Sequence, residues 1–276
     1  MKKWRMIVTD PADGYYNMAL DEAIMKSHRQ KLCLPTLRFY RWEPPALSLG
    51  YFQNHEEEVD VNNCQEKNVD VVRRPTGGRA ILHENELTYS IAVNESLDLL
   101  SKSVVESYRQ ISSGLVQGLN MLDVPAELKP REGKKAPRGQ SSACFDTPSW
   151  YEVVVNDKKL IGSAQTRKDG TILQHGSLPL SRNTKKIFSL FDFSSERERR
   201  KMRRIYSSRS TALYECLTEE KLEEISFEQL TEALKEGLET ALSVKIERGK
   251  LSEKEKAMAE ELKSKKYLSE EWLKKR

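Results

Sequence analysis

Cys144 is the residue whose type and surroundings most directly suggest chemistry. It lies in a polar segment just before a predicted strand, and many cationic side chains are close to it in sequence. Nearby positive charge stabilises the thiolate, the nucleophilic form of cysteine. The other cysteines lie in less suggestive places: a predicted helix precedes Cys33, a polar linker contains Cys64 and a helical stretch contains Cys216. Packing or surface roles are usual for such cysteines. Composition alone also permits an ordinary loop role for Cys144.

Lys159 is a second candidate, because it lies in a predicted strand among apolar neighbours. Strict alternation places its side chain on the face that carries Ile161, Ser163 and Gln165. A lysine beside a hairpin turn is usually an exposed edge residue, whereas a buried one brings positive charge to a site. The strand pattern leaves both interpretations open.

The segment 73–83 places two glycines between cations and a histidine. Gly77 and Gly78 tolerate positive φ and allow close approach of a ligand, and Arg73, Arg74 and His83 flank them. The pattern is typical of a ligand cradle, but also of a Gly-Gly hairpin between solvated arginines. It is not a Walker loop, and no second histidine follows at the spacing of a zinc-protease helix. We therefore expect no metal site.

These residues must be positioned by a strand-rich chain. Short apolar or alternating runs predict strands over 37–42, 46–51, 70–74, 80–83, 87–93, 150–155, 159–167 and 171–178. The last three form an antiparallel meander, with turns at Asn156-Asp157 and Asp169-Gly170. The basic, aperiodic segment 129–142 is predicted to be a mobile surface loop that leads to Cys144.

Helices are predicted where apolar residues recur at helical spacing behind a capping residue. Asn17 is expected to cap the first helix, with Asp21 and Glu22 in its first turn. Capping boxes begin three further helices, at Ser103–Glu106, Ser226–Gln229 and Ser252–Glu255.

The chain has 276 residues, 38% of them hydrophobic, which is enough for one sizeable core. We expect one domain over 1–248, with its core at about 32–245, and a charged peripheral helical tail over 249–276. No apolar stretch approaches the ~20 residues that a bilayer span needs, and the cysteines are too few for a disulfide framework. A cytoplasmic protein is therefore expected, without membrane or nucleic-acid partners.

The net charge of +4 is unevenly distributed. Basic residues concentrate in 129–138, 196–209 and 250–276, and the remainder is acidic. Such windows are either solvated helix faces or surfaces that attract an acidic partner.

Several separate motifs resemble the lipoate and biotin protein ligase superfamily, and within it the bacterial octanoyltransferases of the LipM type. The matching segments are Asn17-Met18-Ala19-Leu20-Asp21-Glu22, Leu47-Ser48-Leu49-Gly50-Tyr51-Phe52-Gln53, residues 73–83, Ser141-Ser142-Ala143-Cys144-Phe145-Asp146, Gly162-Ser163-Ala164-Gln165-Thr166-Arg167 and Gln174-His175-Gly176. Together they span roughly residues 4–245.

The resemblance implies an α/β (α+β) domain with a mixed, largely antiparallel sheet flanked by helices and a tunnel for a medium-chain acyl group. It implies transfer of octanoyl from acyl carrier protein to a lysine of the glycine cleavage H protein, without ATP or another cofactor. Cys144 corresponds to the acyl-thioester nucleophile and Lys159 to the lysine that tunes it. Segments 129–138 and 196–209 are then expected to contact the acidic carrier protein. The expected substrate-binding residues are Arg73, Arg74, Gly77, Gly78, His83, Gln165 and His175.

Three alternatives remain beside this reading. An ATP-dependent lipoate protein ligase shares the fold and the lysine, but typically has a third glycine where this chain has Arg79. An amidotransferase that relays octanoyl or lipoyl groups between lipoyl domains also uses a cysteine. A non-catalytic acyl-binding adaptor gives no reason for Cys144 and Lys159 to occur together.

Overall fold

The computed structural model describes residues 2–97, 99–130, 151–218, 221 and 225–275. Cys144 and most of the predicted loop 129–142 lie outside the described residues. The strands are β1 (Lys2–Val8), β2 (Thr36–Tyr40), β3 (Ala46–Leu49), β4 (Asp70–Arg73), β5 (Ile81–His83), β6 (Glu86–Asn94), β7 (Glu127–Pro130), β8 (Tyr151–Val155), β9 (Lys158–Lys168), β10 (Thr171–Pro179) and β11 (Val244–Arg248).

The described strands form one large and one small sheet. The large sheet has the order β11-β1-β2-β6-β10-β9-β8-β7, and β4-β3-β5 form the small one. In the large sheet, β1 runs parallel to β11 and to β2. All other neighbouring strands of this sheet are antiparallel. This confirms the predicted mixed, largely antiparallel sheet. In the small sheet, β3 lies between β4 and β5 and pairs with both. Residues 74–80 connect β4 to β5.

Helices cover the sheets. Their bounds are α1 (Gly14–Arg29), α2 (His55–Glu58), α3 (Val61–Glu66), α4 (Val104–Asn120), α5 (Thr184–Ser189), α6 (Glu196–Arg209), α7 (Phe227–Leu242), α8 (Glu253–Leu262) and α9 (Glu270–Leu273). Helices α4 and α7 cross closely at Gly118, where a Cβ atom would lie only 2.5 Å from the carbonyl oxygen of Ala233. Their apolar faces close the main core over the large sheet.

The first helix begins earlier than the sequence predicted. Asp13 caps α1 by accepting a 2.8 Å hydrogen bond from the Tyr16 backbone N–H. Asn17 lies one turn inside the helix and is buried, and its side-chain oxygen accepts from Arg38. The prediction of Asn17 as the cap is wrong, since its side chain serves a buried polar network instead.

Residues 253–273 are largely helical, and residues 253–267 pack on α1. Tyr267 is buried and donates a 2.6 Å hydrogen bond to Glu22, which Lys266 also contacts at 2.6 Å. Arg5 pairs with the buried Glu255 at the start of α8. None of the described helices combines the length and the hydropathy that a membrane span requires.

Candidate active site

A cavity of about 240 Å³ opens between the small sheet, α1 and strands β9 and β10. Its wall mixes apolar side chains with a smaller set of polar groups, the usual character of a small-molecule site. The lining residues are Met18, Tyr40, Trp42, Ser48, Arg74, Gly77, Gly78, Ile81, His83, Thr88, Val104, Tyr108, Lys159, Gly162, Ser163, Ala164, Gln165, His175, Gly176 and Ser177. Seven of the eight predicted site residues that the structure describes, Lys159 included, thus line one cavity, and Arg73 is the exception.

Lys159 reaches this cavity because of a β-bulge. Val154 pairs with Lys159, whereas the preceding Val153 pairs with Ile161, so Leu160 is an extra residue in β9. A bulge of this kind reverses the side-chain alternation beyond it. Leu160 and Ile161 both enter the main core, and the predicted face shared by Lys159 and Ile161 is therefore wrong. A Cβ built on Gly162 would contact the Lys159 Cε at 3.7 Å.

The Lys159 ammonium is buried and held in place. Its side chain is 6% exposed, and Nζ donates to Glu152 Oε1 at 3.2 Å. The Lys159 carbonyl oxygen accepts from the Thr211 N–H at 2.9 Å, which ties the strand to the chain that leaves α6. The interpretation as an exposed edge lysine is excluded. A fixed cation at the cavity wall can stabilise a nearby thiolate or a polarised carbonyl oxygen.

Arg74 shapes the loop that carries the two glycines. Its guanidinium donates to the Gly77 carbonyl at 2.9 Å, the Arg79 carbonyl at 2.7 Å and the Ser48 carbonyl at 2.8 Å. Gly78 has φ +95°, a conformation that favours glycine. The loop is thus a built wall of the cavity rather than an open hairpin with solvated arginines.

A chain of hydrogen bonds fixes His83. Its Nδ1 lies 2.7 Å from Glu86 Oε1, and its Nε2 lies 2.8 Å from Ser48 Oγ. Arg74 donates to the same Ser48 hydroxyl at 3.1 Å. Glu86, His83, Ser48 and Arg74 thus form one connected chain of hydrogen bonds in the cavity wall. The imidazole stacks on Trp42 at 4.0 Å, so it forms a flat, rigid part of the wall.

His175 supports the same loop from the other side. Its Nδ1 lies 3.2 Å from the Asp21 carboxylate and its Nε2 lies 2.7 Å from the Thr76 hydroxyl. Burial lowers the pKa of His175 and outweighs the opposing effect of Asp21. Burial would raise the pKa of Asp21, but the bond from His175 and the charge of Arg38, at 2.8 Å, hold it below its ordinary value. The neutral imidazole therefore links α1 to the loop.

Arg73 does not line the cavity. Its guanidinium is fully buried and donates to the Gly50 carbonyl at 2.9 Å and the Tyr51 carbonyl at 3.0 Å. It also donates to the carbonyl oxygens of Trp272 and Leu273, at 3.1 Å and 2.7 Å, where α9 ends. Arg73 thus fastens the C-terminal helix beneath the glycine loop, and the structure gives it a scaffold position instead of the predicted contact with substrate.

Gln165 and Gly176 complete the wall formed by β9 and β10. Gln165 donates to Gln174 at 2.9 Å. A Cβ on Gly176 would lie 2.5 Å from Ser163 Oγ and 2.6 Å from Tyr89 Cε1, so a larger residue would have to displace this part of the wall.

Sequence reasoning missed the groups that hold the candidate residues. Glu86 and Trp42 carry no local signal in the sequence, and Ser48 and Asp21 lie in the matching motif segments without a predicted role at the site. Cys144 lies outside the described residues. Burial raises the pKa of Cys33 to about 11 and that of Cys64 to about 12, and it also raises the pKa of Cys216. These three thiols are therefore poor nucleophiles near neutral pH. The described residues contain no cluster of three or more potential metal ligands.

Comparison with known proteins gives consistent matches along the whole chain. Residues 13–239 match the family described as the lipoyl protein ligase A/B catalytic domain. Octanoyltransferase LipM of Kyrpidia tusciae is 46% identical over 275 residues, which cover 99% of this chain and 98% of that protein. Octanoyltransferase LipM of Bacillus subtilis is 43% identical, with 98% and 97% covered.

Solved structures share the fold at lower identity. A bipartite lipoate protein ligase from Thermoplasma acidophilum aligns with a TM-score of 0.81 at 24% identity, covering 99% of this chain and 97% of that one. A lipoate-protein ligase A bound with ATP aligns with a TM-score of 0.79 at 23% identity, with 99% and 98% covered. At this identity the likeness establishes the fold alone.

Proposed function

Since the chain belongs to the lipoyl protein ligase A/B catalytic domain family and is an octanoyltransferase of protein lipoylation, we propose a two-step transfer through Cys144. Octanoyl moves from acyl carrier protein to the Cys144 sulfur, and then to a lysine of the glycine cleavage H protein. The observation that carries the proposal is the buried Lys159 ammonium on the wall of a largely apolar cavity.

The chemistry balances without an energy source. The Cys144 thiolate attacks the carrier thioester, the new carbon–sulfur bond forms, and the carrier thiolate leaves and takes up a proton. The neutral lysine amine of the acceptor then attacks the enzyme thioester. It loses a proton as the amide forms and Cys144 leaves as a thiolate. A thioester exchange followed by formation of the more stable amide needs no ATP.

Lys159 supports this chemistry as a fixed charge. A positive charge beside Cys144 favours the thiolate over the thiol and lowers the pKa of Cys144. The same ammonium, together with backbone N–H groups of the Gly77-Gly78 loop, can stabilise the oxyanion that forms during both attacks. Glu152, at 3.2 Å from Nζ, keeps the ammonium in one orientation.

The apolar part of the wall accounts for an acyl substrate. Met18, Trp42, Ile81, Val104 and Tyr108 line the cavity together with the polar groups. Burial of an alkyl chain against such residues contributes about 0.8 kcal/mol for each methylene.

Intact mass spectrometry tests the proposal. The protein is mixed with octanoyl carrier protein, and we expect one octanoyl adduct that hydroxylamine removes and that peptide mapping places on Cys144. Cys144→Ser should fold and give no hydroxylamine-labile thioester adduct, while the matched control Cys216→Ser should label like the wild type. Labelling of another cysteine, or normal transfer by Cys144→Ser, would contradict the assignment. Adduct formation only with octanoate and ATP would indicate a ligase.

A further inference from the structure

Helix α6 carries an exposed stripe of positive charge that nothing in the fold requires. Arg197, Arg200, Lys201 and Arg204 recur at the spacing that places residues on one helix face, and all four are exposed. The opposite face packs inward through the buried Tyr206, whose ring meets Phe188 edge-on at 5.5 Å.

The stripe is largely uncompensated. Glu196 pairs with Arg200 at 3.1 Å. Arg197, Lys201 and Arg204 make no ion pair with any residue in the described part of the chain. Like charges four residues apart on a helix destabilise it, and two such pairs occur here, at 197/201 and 200/204. A surface that keeps this repulsion is well suited to receive a negatively charged partner.

The stripe also has a fixed relation to the candidate site. Ser210, which directly follows α6, forms a parallel bridge with Lys159, and Thr211 donates to the Lys159 carbonyl. At 1.5 Å per residue, Arg204 and Arg197 lie about 9 Å and about 20 Å along the helix from Ser210. The stripe therefore begins beside the strand that carries the catalytic candidate and leads away from it.

We propose that this face of α6 is the docking surface for the acidic carrier protein that delivers the octanoyl thioester, an inference that rests on the proposed function. A carrier presents its acyl group on a long flexible arm, so its folded body can sit on cations at this distance while the thioester enters the cavity. The acceptor offers only a lysine side chain, which requires its body to lie at the cavity mouth. The geometry therefore favours the donor over the acceptor as occupant.

The test compares two charge-reversal triples. In the first, Arg197, Lys201 and Arg204 are each changed to Glu; in the control, Lys31, Lys245 and Lys254, which are exposed elsewhere, are changed to Glu. Acylation is measured with octanoyl carrier protein and with a small octanoyl thioester that lacks the carrier body. We expect the α6 triple to raise KM for the carrier about tenfold or more at low salt, with the small thioester used as in the wild type. The control should keep both values.

Salt and neutral substitutions give a second measurement. Added salt should raise the wild-type KM for the carrier much more than that of the α6 triple, because screening acts on the docking charges. The corresponding Gln triple should lie between the wild type and the Glu triple, and circular dichroism with thermal unfolding verifies that all variants fold.

Three results would overturn the proposal. Equal effects of the two triples would show a general charge effect. Equal loss with both donors would place α6 in the chemistry rather than in docking. A defect confined to transfer from preloaded enzyme to the acceptor would assign the stripe to the acceptor. Carrier binding, measured by fluorescence anisotropy, decides the docking proposal even if no thioester forms on Cys144, which would instead refute the proposed function.

Discussion

Replacement of Arg73 by Met separates a scaffold role from contact with substrate. The side chain is fully buried, and its five hydrogen bonds all end on backbone carbonyls, of Gly50, Tyr51, Trp272 and Leu273. A hydrogen bond from a charged group contributes about 1.5–3 kcal/mol. Because these bonds share donors and water can replace some of them, we expect the free energy of unfolding to fall by about 3–5 kcal/mol in Arg73→Met.

The matched control is Arg79→Met in the same loop. Arg79 is partly exposed, and its ion pair with Glu58 is long, at 3.6 Å. Such pairs contribute about 0–1 kcal/mol, so this variant should unfold almost like the wild type. Both variants are compared by urea unfolding monitored by circular dichroism.

A double-mutant cycle identifies the partner of Arg73. Three of its five bonds end at Trp272 and Leu273, and removal of residues 270–276 deletes these acceptors. Arg73→Met should therefore cost about 2–3 kcal/mol less in the truncated chain than in the full chain. Additive effects, or an unchanged free energy of unfolding with a raised KM for the octanoyl donor, would refute the scaffold interpretation.

The remaining predictions concern the site itself. Lys159→Ala should raise the apparent pKa for alkylation of Cys144. Lys159→Arg should raise this pKa less, since arginine keeps a charge but cannot act as a base. An unchanged alkylation profile in Lys159→Ala, together with lost transfer activity, would exclude thiolate stabilisation. A hexanoyl thioester lacks two methylenes worth about 0.8 kcal/mol each, so its kcat/KM should be about 15-fold below that of octanoyl, and equal values would show that the chain end stays in water. Burial lowers the pKa of His175 from its ordinary 6.5. Below pH 6.5, His175 is therefore protonated more readily in the unfolded chain than in the folded chain. The free energy of unfolding should fall as the pH drops from 6.5. His175→Gln should flatten this dependence in urea titrations at pH 5 and 7, and an unaltered slope would contradict a neutral His175.

Local signals in the sequence were reliable where the structure is local. The predicted turns at Asn156-Asp157 and Asp169-Gly170 are confirmed, and all four residues have the positive φ of a two-residue hairpin turn. The capping boxes at Ser226 and Ser252 are also confirmed, whereas Ser103 caps α4 by accepting from the Glu106 N–H without forming the predicted box. In each case, the residues that determine the conformation are within a few positions of one another.

Sequence patterns gave wrong predictions where a side chain is positioned by a residue far away in the chain or by an irregularity in a strand. Nothing in the alternation around Lys159 shows the bulge, which arises from pairing with β8. Arg73 looks like a ligand of the glycine loop, yet its partners at Trp272 and Leu273 are 199 and 200 residues away. Asparagine is a common capping residue, but Asp13 caps α1 instead of Asn17. The Asn17 side-chain oxygen accepts a hydrogen bond from Arg38.

The contact between Arg73 and α9 also sets an order for the synthesis of the chain. The segment that closes over Arg73 is translated about 200 residues after it, a delay of about 10–40 s at 5–20 residues per second. The other two acceptors of Arg73, the carbonyls of Gly50 and Tyr51, precede it in the chain and are already synthesised at that point. The three hydrogen bonds from Arg73 to the carbonyls of Trp272 and Leu273, which support the loop beside the cavity, therefore form only after α9 has been synthesised.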